Sequence, residues 1–380
     1  MLLLYQQRDH FLIALLATAL QHGRVILPPN LANKTLSKLI QDNPNLMILG
    51  GDVSLNVSLD VLNQNETQPV CIDNIIQQVK RASVAFEPDS VIKVLNSVKE
   101  AEIWLYTSGS TGQPKKVIKT WASMMHSAEL AIERFKLMQP IYMVATVPPQ
   151  HMFGLETSIF WPFFSRGSIW FYKPRFPEQI DGAFKDCRSP TGLLVSTPLH
   201  LKNLIASSTN WPENLVRVLS ATAPLTSELA KNVESKMAAK LFEVYGSTET
   251  ASIASRQVVK SEVWQGYTGI EFKQQCDGSF TVKLQGLDGF QKLNDQIEPL
   301  TKTTFKLGKR SSDLVKVAGK RSSLSEMNTL LQTISGVDDG VFLPCTNGER
   351  LVVFVVSNLS KSLVVIGSLN RLRCCAVRLG

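Results

Sequence analysis

Tyr106-Thr107-Ser108-Gly109-Ser110-Thr111-Gly112-Gln113-Pro114-Lys115-Lys116 follows on the strand-like run Glu102–Tyr106. Two glycines let the backbone turn its N–H groups toward an anion. Hydroxyls at Thr107, Ser108, Ser110 and Thr111 add neutral donors, and Lys115 and Lys116 add positive charge at the exit. A loop at the carboxyl end of a strand is where open α/β sheets bind ligands. The spacing is neither the Walker A loop nor the Gly-x-Ser-x-Gly nucleophile elbow. A flexible Ser/Gly linker is the alternative reading. The strand before the loop and the proline and lysines after it favour an anion site.

Outward from the loop, strands and helices alternate, which predicts a parallel sheet with helices on its faces. Toward the N-terminus the pattern predicts a helix over Phe11–His22, stopped by Gly23 as a left-handed cap. A strand over Arg24–Leu27, a helix around Leu36–Gln41 and a strand over Leu46–Leu49 follow. Toward the C-terminus it predicts a helix over Trp121–Leu137 and strands over Tyr142–Val147, Ser168–Tyr172, Gly192–Ser196 and Val216–Ser220. A helix over Ser227–Lys240 then leads to a strand over Leu241–Val244. After about residue 260 the texture changes. Ile270–Lys273 and Phe280–Leu284, split by Asp277-Gly278, read as a β-hairpin. Strands at Phe305–Leu307, Leu314–Val317 and Leu351–Val356, with a helix near Ser325–Thr333, complete a smaller α+β region.

Composition excludes several classes. The chain of 380 residues is 44% hydrophobic and 19% charged, as in ordinary globular proteins and unlike disordered, collagenous or coiled-coil chains. The formal charge of +8 raises the question of nucleic acid. Half of that excess comes from Lys361, Arg371, Arg373 and Arg378, and a second basic stretch runs from Lys302 to Arg321. No zinc-finger spacing or RNA-binding aromatic signature accompanies it, so a small polyanionic ligand is the better match and no nucleic-acid partner is expected. The six cysteines show no CxxC or metal spacing, which reads as reduced thiols in a cytoplasmic protein. Phe11–Leu20 is too short to span a bilayer, and Asp9 beside Arg8 makes a poor signal-peptide start, so no membrane span is expected.

With Tyr-Thr-Ser-Gly-Ser-Thr-Gly-x-Pro-Lys complete, the loop resembles the signature loop of the adenylate-forming superfamily. That superfamily includes acyl-CoA synthetases, peptide-synthetase adenylation domains and firefly luciferase. The resemblance implies that Thr107, Ser108, Gly109, Ser110, Thr111, Gly112 and Lys115 hold the phosphates of ATP. Pro148-Pro149-Gln150-His151-Met152-Phe153-Gly154 is similar to the next motif of the family and would place His151 against the substrate carboxylate; a satisfied structural histidine is the other reading. Amino-acid-activating relatives carry an aspartate shortly after this point. Here Leu155-Glu156-Thr157 stands instead, which points away from amino acids. Ala221-Thr222-Ala223 resembles the segment that lies along the adenine, with alanine and threonine in place of the usual glycine. Thr226 or Ser227 would cap the helix that follows.

Glu243-Val244-Tyr245-Gly246-Ser247-Thr248-Glu249-Thr250 carries its own chemistry. Tyr245 offers a stacking face, Thr248 a hydroxyl for the α-phosphate, and Glu249 a hard oxygen for Mg²⁺. Resemblance to the Tyr-Gly-x-Thr-Glu motif implies the same roles, with Gly246 and Ser247 beside the nucleotide. Asp295 stands where the family has a ribose-binding aspartate. Arg310-Ser311-Ser312-Asp313-Leu314-Val315-Lys316-Val317-Ala318-Gly319-Lys320-Arg321 matches the hinge motif Arg-x-x-Asp-x-x-Lys-x-x-Gly-x-Arg. There Arg310 would reach the ribose or phosphate and Lys316 would join the nucleotide contacts.

The resemblance therefore implies an α/β fold: a large N-terminal domain, 1–309, of mixed sheets flanked by helices, and a smaller, shortened α+β domain, 310–380. It implies ATP-dependent, Mg²⁺-assisted activation of a fatty or aryl acid to an acyl-adenylate. Transfer to CoA or to the phosphopantetheine of an acyl carrier protein would follow. The family's C-terminal Pro-x-x-x-x-Gly-Lys segment has no counterpart, since Lys361 lacks the preceding glycine. The expectation is ATP binding with slowed adenylation, and the alternative is an impaired nucleotide- or acyl-binding relative. Trp161, Phe163 and Phe164 are candidates for an apolar acid pocket or for core.

Overall fold

The computed structural model describes residues 1–50, 88–107, 115–137, 140–165, 167–187, 189, 191–207, 210–283, 289–310, 314–317, 320–324, 327–328, 331, 337, 339–344, 351–356 and 376–377. The chain divides into two compact units, Met1–Glu271 with Lys283–Gly289, and Phe272–Val282 with Phe290–Gly380. The boundary expected at 309/310 rests on the hinge motif and is a different division.

The first unit carries two sheets. One has the order β3-β1-β2-β4-β5: Ile48–Leu49 (β3), Leu2–Leu3 (β1), Val25–Leu27 (β2), Glu102–Thr107 (β4) and Lys115–Thr120 (β5). Its pairs are parallel except for β5, which runs antiparallel to β4. Strand β1 is too short for any periodicity to show. It forms because Leu2 and Leu3 are wholly buried between two neighbours, Leu2 opposite both Ile26 and Ile48. The first helix, α1, is Arg8–Leu20, and the second, α2, is Asn33–Gln41. The left-handed residue that ends α1 is His22, with φ 54°, rather than Gly23. The Gly23 N–H reaches Thr18 O and the His22 N–H reaches Ala19 O, the paired bonds of a Schellman cap. Helix α3 (Pro88–Ser97) precedes β4.

In the other sheet, Ser168–Ile169 (β7), Tyr142–Ala145 (β6), Gly192–Ser196 (β8), Leu215–Ser220 (β9) and Lys240–Ser247 (β10) run parallel in the order β7-β6-β8-β9-β10. Antiparallel Ala251–Arg256 (β11) and Trp264–Gly266 (β12) extend it. Helix α4 is Trp121–Phe135, two residues shorter than expected. Thr120 and Ser123 cap its start reciprocally, and Lys136, left-handed at φ 52°, ends it. Met152–Leu155 (α5), a π-helical turn over Glu156–Phe160 and Trp161–Phe164 (α6) form one helical run.

The crossovers use Pro177–Lys185 (α7), Pro198–Ile205 (α8) and Ser227–Met237 (α9). Sequence reading passed over the first two. Thr197 and Thr226 cap α8 and α9. Val144, Leu194, Val218 and Leu241 form the sheet side of a core, filled from these helices by Ile180, Phe184, Leu201, Val233 and Met237. Trp161 is buried against Phe135 at 5.6 Å, and Phe164 stacks on Phe160 at 6.3 Å. These aromatics belong to packing.

In the second unit, Glu271–Gln274 (β13), Phe280–Lys283 (β14) and Phe290–Lys292 (β15) make one small sheet. Gly278, at φ 77°, turns its hairpin as expected. Asp295–Pro299 (β16) pairs with Thr304–Arg310 (β17), and Leu314–Val317 (β18) with Lys320–Ser323 (β19). Asp339–Pro344 (β20), Leu351–Val356 (β21) and Ala376–Val377 (β22) make a third sheet, whose core includes Leu331, Phe342 and Val353. The helix expected near Ser325–Thr333 falls partly outside the described residues; Met327, Asn328 and Leu331 within it are helical. The large sheets flanked by helices are the α/β architecture expected. Among the described residues no helix is long and apolar enough to cross a membrane.

Candidate functional site

Four chain segments meet around a cavity of about 250 Å³ in the first unit. Thr107 and Tyr106 come from the end of β4, His151 and Met152 from the start of α5, Thr248 from the β10–β11 turn, and Asn30 from the loop after β2. Thr107 pairs in register with Lys115, so the phosphate loop leaves and re-enters the sheet at one place. Ser108, Gly109, Ser110, Thr111 and Gly112 lie outside the described residues.

His151 is set by contacts from the start of the chain. The Arg8 guanidinium is 1% exposed. It donates to the carbonyls of Ala145 (2.7 Å), Val147 (2.8 Å) and Tyr172 (2.7 Å). Burial draws its pKa down to about 10. Among the described residues it makes no ion pair, so carbonyl oxygens are what hold it. Gln150 Nε2 donates to Tyr5 O at 2.7 Å. A β-carbon on Gly154 would stand 1.9 Å from Pro148 O, so only glycine admits this turn. Loss of solvent, aided by Lys173, holds the His151 imidazole below its usual pKa. A neutral ring is left at the cavity. Sequence reading missed Arg8, whose neighbours Gln6, Gln7, Asp9 and His10 are polar and give no sign of burial.

The Thr248-Glu249 turn is tightly closed. A β-carbon on Gly246 would meet Ala251 O at 2.0 Å. Ser247 N–H donates to Thr250 Oγ1 at 2.9 Å, and Thr250 N–H to Ser247 Oγ at 3.2 Å. Glu249 Oε1 accepts from Lys115 Nζ at 2.8 Å. Burial is the largest single influence and pushes the Glu249 pKa up, but the Lys115 hydrogen bond and charge, its own N–H and Ser247 together outweigh it and the carboxyl lies below its usual value. The Lys115 ammonium therefore stands where a cation is favoured. A single carboxylate suits Mg²⁺ that arrives on nucleotide phosphates and keeps its waters. Among the described residues no cluster of three metal-ligating side chains exists.

Behind this turn, Lys119 Nζ donates to the main-chain oxygen of Glu249. Glu156 is 2% exposed and accepts from Ser127 Oγ (2.6 Å), Ser252 Oγ (2.7 Å) and Ser252 N (3.0 Å). Burial raises its pKa against those bonds and Lys119. Glu156 is thus consumed by structure.

The adenine-segment candidates lie on the loop after β9. Ala221 is buried, while Thr222 and Ala223 are exposed. Thr222 takes φ 80°, a strained conformation for a β-branched residue. The loop is tied down by Leu225 N–H to Glu243 Oε1 at 3.0 Å, and Glu243 is paired with Arg256 at 2.7 Å. Tyr245 is buried, its ring 5.5 Å from Trp264. In the second unit, Asp295 and Arg310 are register partners across β16–β17, and Lys316 lies opposite Arg321 across β18–β19.

Residues 1–272 match the family model described as AMP-binding enzyme. Two curated relatives are the 4-coumarate–CoA ligase of Rhodobacter capsulatus, 25% identical over 66% of this chain and 62% of its own, and the malonate–CoA ligase of Arabidopsis thaliana, 23% identical over 72% of this chain and 53% of its own. The chain therefore spans less than two thirds of the length of either. The ATP-bound MatB structure from Rhodopseudomonas palustris shares its fold with TM-score 0.76 at 18% identity, covering 100% of this chain and 84% of that one. The AMP complex of O-succinylbenzoate coenzyme A synthetase from Bacillus subtilis does so with TM-score 0.77 at 18% identity and the same coverage.

Proposed function

The chain belongs to the AMP-binding enzyme family, and we propose that it activates a carboxylic acid with ATP to an acyl-adenylate and passes the acyl group to a thiol. The observation that carries this reading is the cavity shared by Thr107, His151 and Thr248. The carboxylate oxygen attacks the α-phosphorus, forming an O–P bond as the bond to pyrophosphate breaks. The nucleophile is already ionised, so no general base is required. Catalysis is positioning and neutralisation of charge. The phosphate loop and Lys115 would hold the phosphates, the Thr248 hydroxyl would meet the α-phosphate, and Glu249 would hold Mg²⁺. Bound Mg²⁺ would supply Lewis-acid charge to the phosphate oxygens. Neutral His151 hydrogen-bonds the acid without adding a second anion. Ala221–Ala223 and Tyr245 would border the adenine, with Gly246 and Ser247 beside it. Asp295, Arg310 and Lys316 would serve the ribose and phosphates.

A fatty or aryl acid suits the site better than an amino acid, because Glu156 is occupied by Ser127 and Ser252 and is not left to pair with an amine. CoA is favoured as acceptor over a carrier-protein pantetheine, since curated relatives are CoA ligases. ATP–pyrophosphate exchange across fatty, aryl and amino acids tests the proposal. Exchange driven by fatty or aryl acids supports it; exchange with amino acids alone, or with none, overturns it.

A further inference from the structure

Lys119 takes no part in the reaction outlined above, yet it reaches its central carboxylate residue from behind. Lys115 and Lys119 are four apart on β5 and so point to the same face of the strand. Both end on Glu249, Lys115 on the carboxylate and Lys119 on the main-chain oxygen. Their settings differ: the Lys115 side chain is 63% exposed, while Lys119 is 7% exposed. A buried ammonium is costly to desolvate and persists only where its hydrogen bonds and counter-charges hold it. Among the described residues Lys119 has no ion pair within 4 Å; the carboxyl groups that offset its burial are Glu156, buried behind the same turn, and Glu249. Glu156 grips Ser252 by its N–H and its hydroxyl, three residues past Glu249. The turn is therefore held at Glu249 by Lys119 and at Ser252 by Glu156. The π-helical turn that carries Glu156 is a form that recurs at functional sites.

We propose that Lys119 is a positioning residue that presents the Glu249 carboxylate to nucleotide-borne Mg²⁺ by anchoring the Glu249 carbonyl, with Glu156 as its buried counter-charge. This rests on the reading of Glu249 as the metal-facing group. Lys119 exposes nothing to the cavity, so its effect is confined to the metal-dependent part of ATP binding.

The test is calorimetric titration of ATP, with and without Mg²⁺, into wild type, Lys119→Met, Glu249→Gln and the double variant Lys119→Met/Glu156→Gln. In wild type, Mg²⁺ tightens ATP binding. Lys119→Met weakens Mg·ATP binding about tenfold, the loss expected of one charge-assisted hydrogen bond, and leaves metal-free ATP binding unchanged. The double variant removes the stranded carboxylate charge and recovers melting temperature, while the Mg²⁺ increment stays lost. A full increment in Lys119→Met, or its return in the double variant together with stability, overturns the inference. No Mg²⁺ increment in wild type, or one retained in Glu249→Gln, overturns the reading of Glu249 and this inference with it.

Discussion

Lys115 Nζ and Glu249 Oε1 lie 2.8 Å apart although 134 residues separate them in sequence. The contact joins the loop that follows β4 to the turn after β10, and in the proposed reaction each partner would serve a different part of Mg·ATP. Glu249→Gln is expected to slow ATP–pyrophosphate exchange on the order of 10²–10³-fold, the range for losing one preorganised electrostatic group. Thermal stability should change by less than about 1 kcal/mol, because the Lys115 side chain is largely exposed. Exchange kinetics and a melting curve on the same preparation check both.

His151 faces the cavity with its pKa held below the usual histidine value of 6.5. It is therefore neutral throughout the neutral range. The KM for the acid should stay flat from pH 7 to 8 and fall only below the ordinary histidine value, where the ring gains a proton and its positive charge favours the carboxylate. His151→Ala should raise that KM and leave ATP affinity unchanged. A pH series of initial rates with saturating ATP reads both.

Arg8 fastens Ala145, Val147 and Tyr172 through their carbonyls. Arg8→Met leaves two buried acceptors and one half-buried acceptor unpaired and is expected to destabilise the fold by about 3 kcal/mol, less than the full penalties because the guanidinium itself no longer has to be buried. Arg8→Lys should fail to rescue it, since an ammonium lacks the planar fork that spans two strand ends. Urea denaturation measures the difference.

Thr222 sits at φ 80° on the adenine-segment loop. Relief of the left-handed conformation is worth about 1–2 kcal/mol, and the greater freedom of unfolded glycine takes back about 0.5–1. Thr222→Gly should stabilise the protein by about 0.5–1 kcal/mol, visible as a raised melting temperature. Thr222→Ala keeps the strain and should show little gain.

Elements with their own local signals were legible in the sequence. Gly192–Ser196 and Leu314–Val317 have the expected bounds, and the Asp277-Gly278 turn is where its residues required it. Strand β1 was not legible, because two leucines become a strand only between two existing strands. Helices α7 and α8 lay in stretches punctuated by prolines, which here occupy first-turn positions rather than breaking a helix. In the site, His151, Thr248 and Glu249 were found from motifs, whereas Arg8, Lys119 and Ser252 carry no motif of their own.

The sequence alone determined the order of the phosphate loop, the Tyr245–Glu249 segment and the hinge motif, and with them the family and the α/β class. Each of these is local: glycine freedom, hydroxyl spacing and strand periodicity are written within a dozen residues. Only the tertiary structure decided which buried charges meet. Lys119 finds the Glu249 carbonyl and Glu156 finds Ser252 across about a hundred residues or more. A buried ion must be satisfied by whatever the fold brings within hydrogen-bond reach, and that proximity is a property of the packed sheets rather than of any one segment.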